Sequence, residues 1–283
     1  MTELPWCAST SQWNRDNHGM SSEKPAAHPR ENRQQRLTDH VFQQGSATIG
    51  ELVDLLGVSM MTVHRDIDEL SRRGLVRKYR GGVSAMPSTV FESNAEYRMN
   101  AHVDAKRVIA MHAVEQVEPG MSVLLDDSTS ALALARLLVD VTPLTVATNY
   151  LAAIDVLKNV HELRLICIGG DYSSTHDSFL GMQSIESIER LSVDIAFVST
   201  SAMSASMTFH QEPEIVMIKR AMLASARHKV LLMDHSKMKR TALHRLAPLD
   251  DYDLLIVDED VDPHYVDELR SRVEVQVAED PEN

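Results

Sequence analysis

Six short apolar runs alternate with helical segments from Lys106 onward: Ser122–Leu125, Leu144–Thr148, Leu163–Ile168, Ile195–Ser199, Val230–Met233 and Leu254–Val257. Helical spacing lies between several of them, at Thr129–Val139, Tyr150–Asn159, Met182–Leu191 and Ile215–Ala226. Short buried strands that alternate with helices build a mainly parallel sheet with helices on both faces. This pattern predicts an α/β domain. Its ligand loops are expected after the carboxyl ends of the strands.

The preceding segment follows other rules. Leu37 and Val41 give a helical face, and Gly45 stops that helix. Thr48-Ile-Gly-Glu51 reads as a capping box opening a short helix that buries Leu52, Leu55 and Leu56 and ends at Gly57. Ser59 caps a third helix whose Val63, Ile67 and Leu70 face inward, and Gly74 ends it. Leu75–Val83 then reads as a β-hairpin turning near Gly81-Gly82. Two short helices with a serine-capped second member, followed by a hairpin, make a winged helix-turn-helix.

Charge divides along the same line. Residues 30–88 carry nine Arg/Lys against seven Asp/Glu, a net of +2, whereas residues 89–283 carry 17 against 31, a net of −14. Arg72, Arg73, Arg77, Lys78 and Arg80 fall in a stretch without an acid. A small basic module on an acidic body confines electrostatic contact to one face. The total of −13 argues against a surface that grips nucleic acid throughout. No apolar run is long enough to span a bilayer, the N-terminus has no signal-peptide core, and two distant cysteines exclude a disulfide framework or cysteine zinc site. A cytoplasmic protein is expected, with no metal and no cofactor.

Only the first turns of a recognition helix reach base edges. With Val63, Ile67 and Leu70 inward, Met61 and Arg65 point outward and Thr62 and His64 flank them. Arg65 either forks onto a guanine edge or contacts a phosphate. Ser59 at the helix N-terminus is placed for a phosphate, and Arg77, Lys78 and Arg80 for adjacent backbone. Asp66 is expected to hold Arg65 or a neighbouring helix rather than DNA.

Arg33-x3-Leu37-x3-Val41 followed by Ser59-x2-Thr62-Val63-His64-Arg65-Asp66-Ile67, with the closing Arg80-Gly81-Gly82-Val83, resembles the DNA-binding signature and wing of the DeoR family of bacterial transcription regulators. His64 stands where that family usually has arginine. The resemblance runs to about Val257 and implies a C-terminal domain similar to ribose-5-phosphate isomerase that binds phosphorylated sugars. Lys106–Ala110 matches the opening helix, and Asp126-Asp-Ser-Thr-Ser130 the first ligand loop. Thr148-Asn149 matches the second, Gly169-Gly170 the third, and Asp194-Ile-Ala-Phe197 the fourth. Lys219–Met222 and Asp234-His-Ser-Lys237 match the last two. Ser128 and Ser130 replace the family's usual glycine and threonine, and Ser199–Met207 contains no glycine.

The candidate effector residues are therefore Asp126, Ser128, Thr129, Ser130, Thr148, Asn149, Lys219 and Lys237. Ser128, Thr129 and Ser130 open a helix and offer hydroxyls and free N–H groups to an anion, or serve as a plain cap. Lys219, Arg220 and Lys237 bring positive charge to a phosphate, or, for Arg220 and Lys237, are solvated. The organisation expected is a disordered tail (1–29, with Met20 an alternative start), a winged helix-turn-helix (30–86) and a linker (87–105). An α/β sensor (106–260) and a C-terminal helix, strand and tail (261–283) follow. The function expected is a DNA-binding transcriptional regulator, a repressor of carbohydrate genes released by a phosphorylated sugar. Its partners are a double-stranded operator and further copies of itself, as dimer or tetramer, and no membrane. Three alternatives stand beside it: a sugar-phosphate isomerase-like enzyme, a regulator whose sensor has lost its ligand, and a protein-binding module without DNA contact. The enzyme needs a carboxylate base, and the acid-rich loop of such enzymes is reduced here to Asp194. No catalytic residue is assigned.

Overall fold

The computed structural model describes residues 29–85 and 95–280. The expected tail, the Met20 start and the part of the connection before residue 95 lie outside the described residues.

The first module contains α1 (Pro29–Gln44), β1 (Ser46–Thr48), α2 (Ile49–Leu56), α3 (Met60–Arg72), β2 (Val76–Tyr79) and β3 (Gly82–Ala85). Its punctuation follows the sequence. Thr48 Oγ1 accepts from Glu51 N–H while Glu51 accepts from the Thr48 N–H at 2.7 Å, closing the capping box. Gly57 ends α2 at φ 64°, a left-handed conformation that costs glycine nothing. Leu37, Val41, Leu52, Val63, Ile67, Leu70 and Val83 form one buried cluster. Two details differ from expectation. The hairpin turns at Arg80-Gly81, because Gly82 is already paired with Tyr79 and Thr48. A Cβ on Gly82 would sit 2.5 Å from the Ala47 carbonyl oxygen, so the close strand pairing requires glycine. The short β1, with no apolar alternation to announce it, completes a sheet of order β1-β3-β2.

Two helices, α4 (Ala95–Asn100) and α5 (Val103–Val114), lead into the larger domain. There follow β4 (Ser122–Leu125), α6 (Thr129–Leu138), β5 (Leu144–Thr148), α7 (Leu151–Leu157) and β6 (Leu163–Cys167). A two-stranded hairpin, β7 (Asp171–Ser173) and β8 (Ser178–Leu180), precedes α8 (Met182–Glu189) and β9 (Val193–Val198). The chain continues through β10 (Ala202–Met203), β11 (Met207–His210), α9 (Pro213–Ser225), β12 (Ala226–Met233) and β13 (His244–Pro248). It closes with β14 (Leu254–Asp258), α10 (Pro263–Arg270) and β15 (Glu274–Ala278).

Seven of these strands form one sheet in the order β15-β14-β12-β9-β4-β5-β6, every pair parallel. Alternate residues feed opposite cores: Val123 and Leu125 pack with α5, α6 and α7, while Leu124 packs with α8, α9 and α10. The chain winds outward from β4 through β5 and β6, then from β9 outward on the other side. The reversal leaves a crevice beyond the carboxyl ends of β4 and β9, where open α/β sheets take ligands. An antiparallel sheet, β10-β11-β13, stands beside it. Among the described residues no helix is long and apolar enough to cross a membrane.

Candidate DNA interface and effector cavity

The outer face of α3 carries Met61, 69% exposed, with His64 and Arg65, both exposed. Thr62 is half-buried and its hydroxyl meets Ser59 Oγ at 3.0 Å, so this side chain serves the cap. Asp66 turns the other way. Buried, it accepts from Arg33 Nε at 2.6 Å and from Gln34 Nε2 at 3.1 Å, locking α3 against α1. That accounts for an acid inside a helix expected to face DNA, and it holds the neighbouring helix rather than Arg65. On the wing, Arg77, Lys78 and Arg80 are exposed, and Lys78 pairs with Asp68. A phosphate reached by Lys78 must take the place of that carboxylate.

At the crevice lies a cavity of about 550 Å3. Three strand-end loops form its floor: Ser128 and Thr129 after β4, Ser199–Ser201 after β9, and Asp234–Met238 after β12. Arg98, His102 and Lys106 close it from α4 and α5, and His210, Lys219 and Arg240 from the flank. Among the described residues five Lys or Arg and two Asp line it, in a domain otherwise rich in acid.

Those cations are not equivalent. Lys219 is fully buried with Asp126, which it contacts closely, and with Asp127 at 3.1 Å. Burial works against its charge, but the two carboxylates outweigh it and raise its pKa. Burial also opposes the Asp127 charge, yet Lys219, Arg98 and two histidines hold that carboxyl well below its usual range. The charge of Lys219 is thus consumed inside the protein, which corrects its assignment as a direct partner of a phosphate. Asp126 is spent too, accepting from Ser128 N–H at 3.0 Å and Ser199 N–H at 2.7 Å. These bonds join the loops after β4 and β9 into one wall.

Lys237 lines the cavity. Its Nζ meets Ser199 Oγ at 2.9 Å and Asp234 at 3.4 Å. Burial pushes the Lys106 ammonium down to about 7, with Asp234 opposing and Lys237 and Arg98 adding to the shift. Burial likewise takes His210 down to about 3. Its Nδ1 accepts from Glu212 N–H at 3.2 Å, which leaves the ring hydrogen on Nε2. His235 goes the opposite way, raised chiefly by its 2.6 Å bond to Asp258. His235, Asp258 and Asp260 bring three possible ligand atoms within 4.8 Å of one another. Asp258, however, accepts from both the His235 ring and its backbone N–H, as in an ion pair.

Ser128 caps α6 by accepting from Ala131 N–H, and Thr129 begins the helix at the cavity wall. Ser130 is not among the described residues lining the cavity, and among these residues its buried hydroxyl has no hydrogen-bond partner. Thr148 and Asn149 do not line it either. Thr148 Oγ1 accepts from Tyr150 N–H, and Asn149 donates to the Phe179 carbonyl, so both shape the turn into α7. Asp194 sits at the amino end of β9, where it accepts from the Ser122 hydroxyl and N–H. It is therefore at the opposite end of the strand from the ligand loop. Sequence reasoning missed Arg98, His102, His210 and Asp39 as lining residues. Lys106, Asp234 and His235 enter the sequence reading only within matched segments, whereas Lys237 is named there as an effector residue.

Residues 101–259 match the DeoR C terminal sensor domain, and residues 33–89 match the DeoR-like helix-turn-helix domain. An uncharacterized HTH-type transcriptional regulator of Escherichia coli (strain K12) is 30% identical over 227 residues, 80% of this chain and 89% of its own. A putative aga operon transcriptional repressor of Escherichia coli O157:H7 is 29% identical, covering 90% of this chain and 95% of its own. A glycerol-3-phosphate regulon repressor of Escherichia coli (strain K12) is 27% identical, covering 78% and 88%. Among solved structures, a ribose 5-phosphate isomerase of Methanocaldococcus jannaschii aligns over 48% of this chain and 54% of its own, at 19% identity and a TM-score of 0.35. With its reading helix, its wing and both of its domains matched, the chain belongs to the DeoR family of DNA-binding transcriptional regulators.

Proposed function

We propose that this regulator is a cytoplasmic repressor of carbohydrate genes, released from its operator when a phosphorylated sugar enters the cavity between β4, β9 and β12. One observation carries the reading: a cation-rich cavity at the strand-order reversal of a domain whose remaining surface is acidic. Lys237, Arg98 and Arg240 supply charge to the phosphate, the opening of α6 at Thr129 supplies N–H groups, and Asp234 accepts from sugar hydroxyls. Ser59, Met61, His64, Arg65, Arg77, Lys78 and Arg80 meet the DNA, with α3 in the major groove. Residues 30–86 and 106–260 act as separate folding units, and two-fold operators favour a dimer or a pair of dimers. No turnover belongs to this reading, because Lys219 neutralises the Asp126 and Asp127 carboxylates behind the cavity. The test is a gel shift on DNA upstream of the protein's own gene and its neighbours, repeated with a panel of sugar phosphates. Retarded DNA released by one phosphorylated sugar is the expected result. DNA that is never retarded, or release by no sugar phosphate, overturns it.

A further inference from the structure

Asp39, which lines the effector cavity, comes from the DNA-binding module. Asp39 lies on α1, two positions beyond Leu37, so it points away from the module's own core and toward the sensor domain. Its Oδ1 accepts from Gln35 Nε2 at 2.8 Å and stands 3.8 Å from His102 Nε2. His102 meets His235 edge-on, ring centroids 5.1 Å apart, and His235 is anchored by Asp258. His102 also adopts a left-handed φ of 49° at the start of α5, where its side chain makes no capping bond. A non-glycine residue persists in that conformation when its surroundings demand it.

We infer that Asp39 is the resident counter-ion of the effector cavity, and that an anionic ligand competes with it for His102 and His235. This rests on reading the cavity as an anion site. Asp39 is partly desolvated, which raises its carboxyl, while His102 and His235 favour its charge and Asp234 opposes it. A phosphate monoester brings roughly −1.5 to −2 charges into the same enclosure. Both imidazoles turn to the stronger anion, and Asp39, left with the Gln35 amide alone, then faces that anion. Ligand entry and docking of α1 thus exclude one another. The coupling is reciprocal: whatever the ligand costs the docked pose, docking costs the ligand. No long relay through the domain is needed, because the DNA-binding module already reaches the site.

The test uses the full chain with inorganic phosphate as the probe, comparing wild type, Asp39→Asn and Lys237→Ala by calorimetry and hydrogen exchange. Asparagine keeps the shape of the side chain and the bond from Gln35 but removes the charge. Asp39→Asn is expected to bind phosphate about fivefold or more tightly than wild type, at the lower end of ordinary coupling factors. Phosphate is expected to speed exchange in α1 of wild type and to leave α1 of Asp39→Asn unchanged. Equal or weaker phosphate binding by Asp39→Asn, with wild-type binding still lost in Lys237→Ala, overturns the counter-ion and leaves the anion site standing. Phosphate that binds none of the three proteins overturns the anion site and the inference together.

Discussion

Replacing Lys219 by methionine keeps the length of the side chain and removes its charge. In the native protein Lys219 is 3% exposed and holds two carboxylates that are 0% and 3% exposed. Without it, Asp126 and Asp127 face one another in a dry enclosure with Arg98 as the nearest compensation. Breaking a buried pair by deleting one partner costs about 3–5 kcal/mol, out of the 5–15 kcal/mol that roughly brackets a domain's stability. At about 2–4 °C per kcal/mol for a domain of this size, Lys219→Met should melt roughly 6–20 °C below wild type. The sign with pH follows from linkage. Native Asp127 has a depressed pKa, so its contribution is present above the unfolded value near 3.9 and is lost as pH falls through the folded one. In Lys219→Met the buried carboxyls instead resist ionisation, so the deficit is greatest at neutral pH and shrinks as acid protonates them. Adding Asp127→Asn should recover part of the loss by removing one of the two unpaired charges, whereas Asp126 must stay a carboxylate because both its oxygens accept backbone N–H groups. The assay is scanning calorimetry of the full chain at pH 7.5 and 5. A variant that melts within 2 °C of wild type at pH 7.5 would show that this ion-paired triad does not hold the strand-end loops together.

Arg65→Ala should cost roughly 1–3 kcal/mol on operator DNA and relax preference at one base, whereas Lys78→Ala should weaken all sequences and lower the salt slope by about one. Competition binding at several salt concentrations separates them, and equal losses on random DNA for both would refute the recognition-helix assignment. Thr129→Ala and Lys237→Ala should leave operator binding intact without ligand and raise the sugar phosphate concentration needed for release, as read by gel shift. His210, lowered to about 3 by burial, binds a proton in the unfolded chain long before it does in the folded one. Its contribution is therefore present above pH 6.5 and lost as pH falls toward 3. His210→Gln should flatten that acid limb in urea midpoints, and an unchanged limb would refute the buried neutral imidazole.

The elements set by local chemistry were legible. Thr48 with Glu51, Ser59 with its i, i+4, i+7 apolar positions, and the six apolar runs each encode their own structure over a few residues, and all appear. The elements set by long-range pairing were not. The strand β13 contains histidine, arginine and proline without alternation, and β11 is only four residues long; each is completed by the other's ladder. The same division holds at the site. The loop Asp234–Lys237 could be placed because it follows an apolar strand. Asp194 was misplaced because matching a segment does not say at which end of its strand a carboxylate sits, and here it bonds Ser122. Lys219 looked like a ligand cation because sequence cannot show that Asp126 and Asp127, about ninety positions earlier, fold back to consume its charge. Asp39 and His235 lie 196 positions apart in different domains, beyond the reach of any local pattern.

The most direct test is titration calorimetry of the full chain with triose, pentose and hexose phosphates, each beside its unphosphorylated parent. A cavity closed by Lys237, Arg98 and Arg240 predicts that at least one phosphorylated sugar binds below the millimolar range, that its parent binds far more weakly, and that Lys237→Ala loses most of the difference. Parents that bind as well as their phosphates, or a Lys237→Ala variant with undiminished affinity, would contradict the assignment of the cavity to a phosphorylated effector.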